Sequence, residues 1–85
     1  MRDARPRGMK VPKATVSRLG AYSRYLENLD RREVGVVSSG DIARAVGVSA
    51  TQVRKDLAFF GDAGTRGVGY DVGHLSAYIH RILGL

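Results

Sequence analysis

The sequence contains no cysteine and no tryptophan, and it has only two prolines. Without cysteine there can be no disulfide framework, zinc ribbon or thiol nucleophile, which suits a protein of the cytoplasm. No apolar run approaches the ~18 residues of a membrane span, and the basic N-terminus lacks the apolar centre of a secretory signal. The 85 residues are enough for one small domain, whose modest core argues against an elaborate internal active site.

Acidic residues are also scarce. There are 14 Lys and Arg against 8 Asp and Glu, so the net charge is +6. This excess favours polyanionic partners, either nucleic acid or an anionic membrane surface, although a merely soluble basic domain has the same composition. His74 and His80 would lie about 240° apart around a helix, so they predict no shared metal site. Nothing in the sequence arranges Ser, His and Asp as a catalytic set, and we expect no enzyme activity.

The pattern of apolar residues predicts one domain over residues 10–85, preceded by a mobile basic extension over residues 1–9. A first helix is expected to begin near Pro12. Its apolar stripe recurs every three or four residues and comprises Val16, Leu19, Tyr22, Leu26 and Leu29. The run VGVVS that follows is β-branched and short, as in a minimal strand.

Two short helices are then predicted by two capping patterns. Ser38 caps the first, which ends at Gly47, and Ser49 caps the second only two residues later. Short capped helices across a glycine turn are typical of a helix-turn-helix. Ala43 allows the close approach of the helices and Val53 fills their interface.

The second of these helices, SATQVRKDLAFFG, has two different faces. Val53, Leu57 and Phe60 cluster on one of them and are expected to pack inward. The opposite face is low in profile and basic, which suits the major groove of DNA, where Arg bridges guanine O6 and N7. A solvated helix face is the alternative, and Asp56 is interpreted as structural, holding an arginine or the amides of the hairpin. The residues predicted to contact DNA from this helix are Ser49, Ala50, Thr51, Gln52, Arg54, Lys55 and Ala58.

A glycine-rich segment follows. Val68, Tyr70 and Val72 alternate and predict a β-hairpin within residues 59–72, which would act as a wing, and a last helix follows it. Arg66 and Gly67 are predicted to contact phosphate or the minor groove. The glycine spacing here also approaches a dinucleotide fingerprint, but no βαβ unit surrounds it, so we reject that reading. Phosphate anchoring before the groove helix is predicted for Lys10, Lys13 and Arg18.

These motifs together carry a resemblance. KVPKAT, SRL, YLENL, TQVRKDLAFFG and GTRGVGYDV, in this order, resemble the N-terminal domain of the Rex family of redox-sensing transcriptional repressors. The resemblance implies a mainly α winged helix-turn-helix fold with about four helices and a small antiparallel hairpin, the wing lying at residues 64–72. VRKDL alone is also similar to DeoR-type winged helices.

The resemblance further implies a homodimer that binds inverted-repeat operators in double-stranded DNA of a bacterial cytoplasm. In the Rex family a C-terminal Rossmann domain binds NADH, which releases DNA, whereas NAD⁺ favours binding. This chain ends where that domain would begin, so we expect a DNA-binding domain that carries no cofactor itself. The alternatives are a DeoR-like repressor domain, a winged-helix protein–protein interaction module and an enzyme fragment.

Overall fold

The structure is a computed structural model that describes residues 12–58 and 69–84. Within these residues it has four helices and two short strands, so the predicted mainly α domain with a small antiparallel sheet is confirmed. The elements are α1 (Lys13–Arg31), β1 (Val36–Val37), α2 (Ser39–Val46), α3 (Ala50–Ala58), β2 (Tyr70–Asp71) and α4 (Val72–Leu83). The predicted extension over residues 1–9 and most of the predicted wing lie outside the described residues.

Helix α1 begins directly after Pro12, as predicted, and the Pro12 carbonyl accepts a hydrogen bond from the Val16 amide at 3.0 Å. The predicted apolar stripe is buried from Leu19 to Leu29, but the prediction for Val16 is wrong, since its side chain is 42% exposed. Thr15 takes the buried position instead. Its hydroxyl accepts a hydrogen bond from Nη2 of Arg18 at 3.2 Å, and this bond satisfies a polar group inside the protein.

The predicted helix-turn-helix is confirmed at both caps and at the turn. Oγ of Ser38 accepts the Asp41 amide at 3.0 Å, and Oγ of Ser49 accepts the Gln52 amide at 3.0 Å. Gly47 ends α2 in the left-handed conformation, with φ at +89°, and its amide donates to the Ala43 carbonyl. Because a glycine adopts this conformation without steric cost, the chain reverses within a few residues and α3 packs against α2.

The two strands are antiparallel, with Val36 opposite Asp71 and Val37 opposite Tyr70. Strand β2 therefore pairs with the minimal strand predicted before α2. The prediction that Val72 continues the strand is wrong: Val72 is the first residue of α4, where it is fully buried. The cause is Asp71, whose Oδ1 accepts the His74 amide at 2.8 Å and so caps the helix one residue earlier than the alternation suggested.

The core lies where α1 packs against α4 and against α2, which in turn packs against α3. Buried side chains come from all four helices and from both strands. This packing leaves one face of α3 directed to solvent. The largest fully buried side chains are Leu19, Tyr22, Leu26, Ile42, Val53, Leu57, Val72, Leu75 and Ile79.

Candidate nucleic-acid interface

Helix α3 exposes a narrow stripe of four residues. Thr51, Arg54, Lys55 and Ala58 are all exposed, and they are spaced three and four residues apart, so they share one face. The opposite face is buried through Val53, Asp56 and Leu57. The stripe therefore combines two cations with a small hydroxyl and a methyl group, which is the surface predicted from the sequence.

The guanidinium of Arg54 is oriented by two hydroxyl groups. Nη1 donates to Oγ of Ser39 at 3.3 Å, and Nη2 donates to Oγ1 of Thr51 at 3.2 Å. Both acceptors are neutral, and in the described part of the chain no carboxylate lies at ion-pair distance from Arg54 or Lys55. The side chain is thus oriented, and no carboxylate among residues 12–58 and 69–84 compensates its positive charge, as an anionic ligand or a guanine edge requires.

Three of the predicted groove residues lie outside the exposed stripe. Ser49 is exposed and caps the helix through the Gln52 amide. Ala50 is partly buried against the core. Gln52 is turned inward, where its Nε2 donates to Oδ1 of Asp56 at 2.9 Å. Their predicted contacts with DNA stay predictions, and in this structure Ser49 and Gln52 organise the helix.

Asp56 is buried, with 3% of its surface exposed, and it accepts hydrogen bonds from two helices. Its Oδ2 accepts Nε of Arg18 at 2.7 Å and the hydroxyl of Tyr22 at 2.6 Å, while Oδ1 also accepts Nη2 of Arg18 at 3.0 Å. The interpretation that Asp56 is structural and holds an arginine agrees with this geometry. With Gln52, these residues form what we call the Asp56 cluster: Arg18, Tyr22, Gln52 and Asp56.

Burial by itself would raise the pKa of Asp56, but the hydrogen bonds from Arg18, Tyr22 and Gln52 outweigh it, so the pKa lies below its usual value. The hydrogen bond to Asp56 raises the pKa of Arg18 in turn. Burial first, and then the bond to Asp56, raises the pKa of Tyr22. At neutral pH the cluster is therefore an ion pair with a neutral tyrosine donor.

The predicted phosphate anchors fall into two groups. Lys13 is exposed at the first turn of α1. Arg18 is 26% exposed and its charge is balanced by Asp56, so it has a structural role whether or not it also contacts a phosphate. Lys10, Arg66 and Gly67 lie outside the described residues, and their contacts stay predictions.

Two contacts of this surface could not be found from the sequence. Ser39 meets Arg54 across 15 positions of chain, and Tyr22 meets Asp56 across 34. Spacing rules concern residues within one element, so no local pattern marks either pair. The only signal in the sequence was that Tyr22 lies on the predicted apolar stripe of α1 and that Asp56 was interpreted as structural.

Residues 12–58 and 69–84 contain neither a candidate metal site nor a candidate membrane-spanning helix. No three His, Asp or Glu side chains there come close enough together to hold a metal ion. Nε2 of His80 instead lies 2.6 Å from Oε2 of Glu27, at ion-pair distance but without the alignment of a hydrogen bond. No helix among residues 12–58 and 69–84 has the length and apolar character needed to cross a membrane.

Comparison with known proteins identifies a family model that covers α1, α2 and α3, and several relatives of this chain. The family model described as the N-terminus of putative DNA-binding proteins matches residues 10–58. The redox-sensing transcriptional repressor Rex of Carboxydothermus hydrogenoformans is 61% identical over 79 residues, which are 93% of this chain and 38% of that protein. The Rex of Streptomyces avermitilis is 49% identical over 79 residues, 93% of this chain and 31% of that protein.

A solved structure is similar as well. The crystal structure of RSP in complex with β-NAD⁺ and operator DNA has a TM-score of 0.84 and 42% sequence identity, covering 91% of this chain and 36% of that one. RSP is described as a Rex-family repressor. The family model and these relatives together show that this chain belongs to the Rex family of redox-sensing transcriptional repressors. It corresponds to their N-terminal, winged-helix DNA-binding domain.

Proposed function

We propose that this chain binds operator DNA in a sequence-specific way, by inserting α3 into the major groove. The observation that carries the proposal is the exposed stripe of α3, where Arg54 is oriented by Ser39 and Thr51 and no carboxylate in the described part of the chain pairs with it. Arg54 then reads a base edge, and the neighbouring Lys55 adds a second cation. RSP, whose complex with operator DNA has been solved, supports the proposal by its similarity.

Phosphate anchoring is proposed for Lys13 at the start of α1, together with Lys10, Arg66 and Gly67. A phosphate contact adds affinity on every sequence, because the backbone charge is the same along the duplex. Each contact contributes about −0.9 to the slope of log K against log salt. We expect Lys13→Ala to weaken binding to all duplexes and to flatten that slope by about one unit.

The chain spans 38% and 37% of the length of the Rex proteins from Carboxydothermus and Pelotomaculum. For a longer protein that carries this domain, we propose a cytoplasmic homodimer that represses transcription from inverted-repeat operators, without enzymatic activity, and is released by NADH. The described residues themselves do not fit a dinucleotide. The N-terminus of α4, which follows a strand, is already occupied by the carboxylate of Asp71. We therefore propose that the residues of this chain do not bind NADH themselves.

The decisive test has two steps. Duplexes selected from a random pool by the 85-residue chain should contain an enriched motif, which competition titrations then compare with a scrambled duplex. Arg54→Ala should weaken binding to the selected motif by about 1–3 kcal/mol and binding to the scrambled duplex much less. Equal losses on both duplexes would make Arg54 a phosphate anchor, and no enrichment at any salt concentration would favour a protein–protein interaction module.

Arg31→Ala is the matched control. It removes the same charge from an exposed position in the last turn of α1. Arg31 lies 13 residues beyond Arg18, which contacts α3, so it is about 20 Å further along the helix. We expect it to leave the preference for the selected motif unchanged.

A further inference from the structure

The Asp56 cluster joins α3 to α1 by directional bonds. Each carboxylate oxygen of Asp56 accepts two hydrogen bonds, from Arg18 and Tyr22 at Oδ2 and from Arg18 and Gln52 at Oδ1. Arg18 and Tyr22 belong to α1 and lie one turn apart, so the carboxylate accepts hydrogen bonds from two successive turns of that helix. Tyr22 is fully buried.

The apolar contacts of α3 do not supply the same constraint. Helix α3 packs chiefly on α2, and only weakly on α1. Burial of Val53 and Leu57 is non-directional, because the hydrophobic free energy depends on area and not on angle. Hydrogen bonds, in contrast, weaken steeply once their angles change. The Asp56 cluster therefore adds a directional constraint between α3 and α1 on the rotation of α3 about its own axis.

That rotation matters at the exposed stripe. Arg54 and Lys55 immediately precede Asp56 in the chain, so a rotation that moves the carboxylate moves them by the same angle. A side chain about 6 Å from the helix axis moves by about 2 Å when the helix turns by 20°. A bidentate contact tolerates about 0.5 Å.

We propose that Asp56 and Tyr22 are positioning residues for DNA recognition, which fix the rotation of α3 and so aim Arg54 at the base edge without touching DNA. This inference rests on the proposed groove binding. It assigns sequence discrimination, and not only folding, to a buried polar cluster on the far side of the helix.

Tyr22→Phe tests the inference, because it removes one hydroxyl and leaves the ring and the net charge unchanged. Its control is Tyr25→Phe, the same change on α1 at a half-buried tyrosine whose hydroxyl has no hydrogen-bond partner among the described residues. The measured quantity is the ratio of affinities for the selected and the scrambled duplex at one salt concentration. We expect Tyr22→Phe to lower this ratio by a factor of about 5–10, at the low end of what one bidentate base contact provides, and Tyr25→Phe to leave it unchanged.

The ratio separates positioning from stability. Unfolding removes molecules from both binding equilibria equally, so a purely structural role lowers both affinities and leaves their ratio constant. Asp56→Asn is a second variant, in which all three donors lose the charged acceptor, and it should lower the ratio at least as much as Tyr22→Phe. Folded fractions measured by circular dichroism at the titration temperature correct both data sets.

A second measurement needs no DNA. Amide residual dipolar couplings report the orientation of α3 relative to α1, and we expect them to change in Tyr22→Phe and not in Tyr25→Phe. If the wild type bound the selected and the scrambled duplex with equal affinity, the proposed function would fail. The couplings would still test whether Tyr22 fixes the rotation of α3. If the wild type discriminated and Tyr22→Phe kept both its ratio and its couplings, the positioning role alone would be refuted.

Discussion

Gly69→Ala is expected to be among the most destabilising single-methyl changes in this domain. Gly69 precedes β2 and has φ at +106°, a conformation that side chains bearing a Cβ rarely adopt. A Cβ built there would lie 2.6 Å from the carbonyl oxygen of Val37 and 3.2 Å from its carbonyl carbon. Both atoms belong to the backbone of β1, so no side chain can rotate away to make room.

The magnitude follows from three contributions. Backbone strain at a positive φ costs about 1–3 kcal/mol. Relief of the contact separates β1 from β2 and weakens a ladder hydrogen bond, which costs about 1 kcal/mol more. Alanine also restricts the unfolded chain, which offsets about 0.4–1 kcal/mol. The net expectation is a loss of about 2–3 kcal/mol, or about 10–20 °C in Tm for a domain of this size.

Gly35→Ala is the matched control, because Gly35 lies next to β1 and a Cβ there would meet nothing within 4 Å. Its φ is not positive, so restriction of the unfolded chain should leave stability unchanged or raise it slightly. Thermal unfolding followed by circular dichroism, with urea titrations at 25 °C, measures both variants. A Tm for Gly69→Ala within about 2 °C of the wild type would refute the close approach of the two strands.

Three further outcomes are expected. Asp56 has a lowered pKa when folded, so its ionised form adds stability above the ordinary value of 3.8 that is lost as the pH falls through the folded pKa. Asp56→Asn should therefore cost about 2–3 kcal/mol at pH 7, and this cost should shrink as the pH falls below 3.8 and through the folded pKa of Asp56. Urea titrations across the acid range measure it; an equal cost at every pH would contradict the ion pair. Ser49→Ala removes the cap of α3 and should lower the free energy of unfolding by about 1 kcal/mol, as Ser38→Ala should for α2; an unchanged urea midpoint in either variant would contradict that cap. Calorimetry of the 85-residue chain with NADH should give no saturable heat, and operator titrations should be indifferent to NADH, because Asp71 occupies the N-terminus of α4; micromolar binding would contradict this assignment.

The sequence by itself determined the existence of the four helices, the caps at Ser38 and Ser49, and the exposed stripe of α3. These features depend on residues within a few positions of each other, such as Ser49 with Gln52, or Thr51 with Arg54 and Lys55. The glycine turn at Gly47 is equally local, since a left-handed φ is a property of one residue. Local rules were enough to predict that Asp56 faces inward, and the resemblance to Rex rests on the same short motifs.

Only the tertiary structure decided which groups meet across the fold. It paired Asp56 with Arg18 and Tyr22, so that a residue predicted to anchor phosphate also ties α1 to α3. It also gave β2 its partner in β1 and placed Val72 in a helix, where the sequence alternation had predicted a strand. Hydrogen bonds of this kind join residues that are distant in the chain, and their partners depend on the packing of whole helices. Local periodicity carries no information about that packing, and for this reason the orientation of α3 relative to α1 could not be predicted from the sequence.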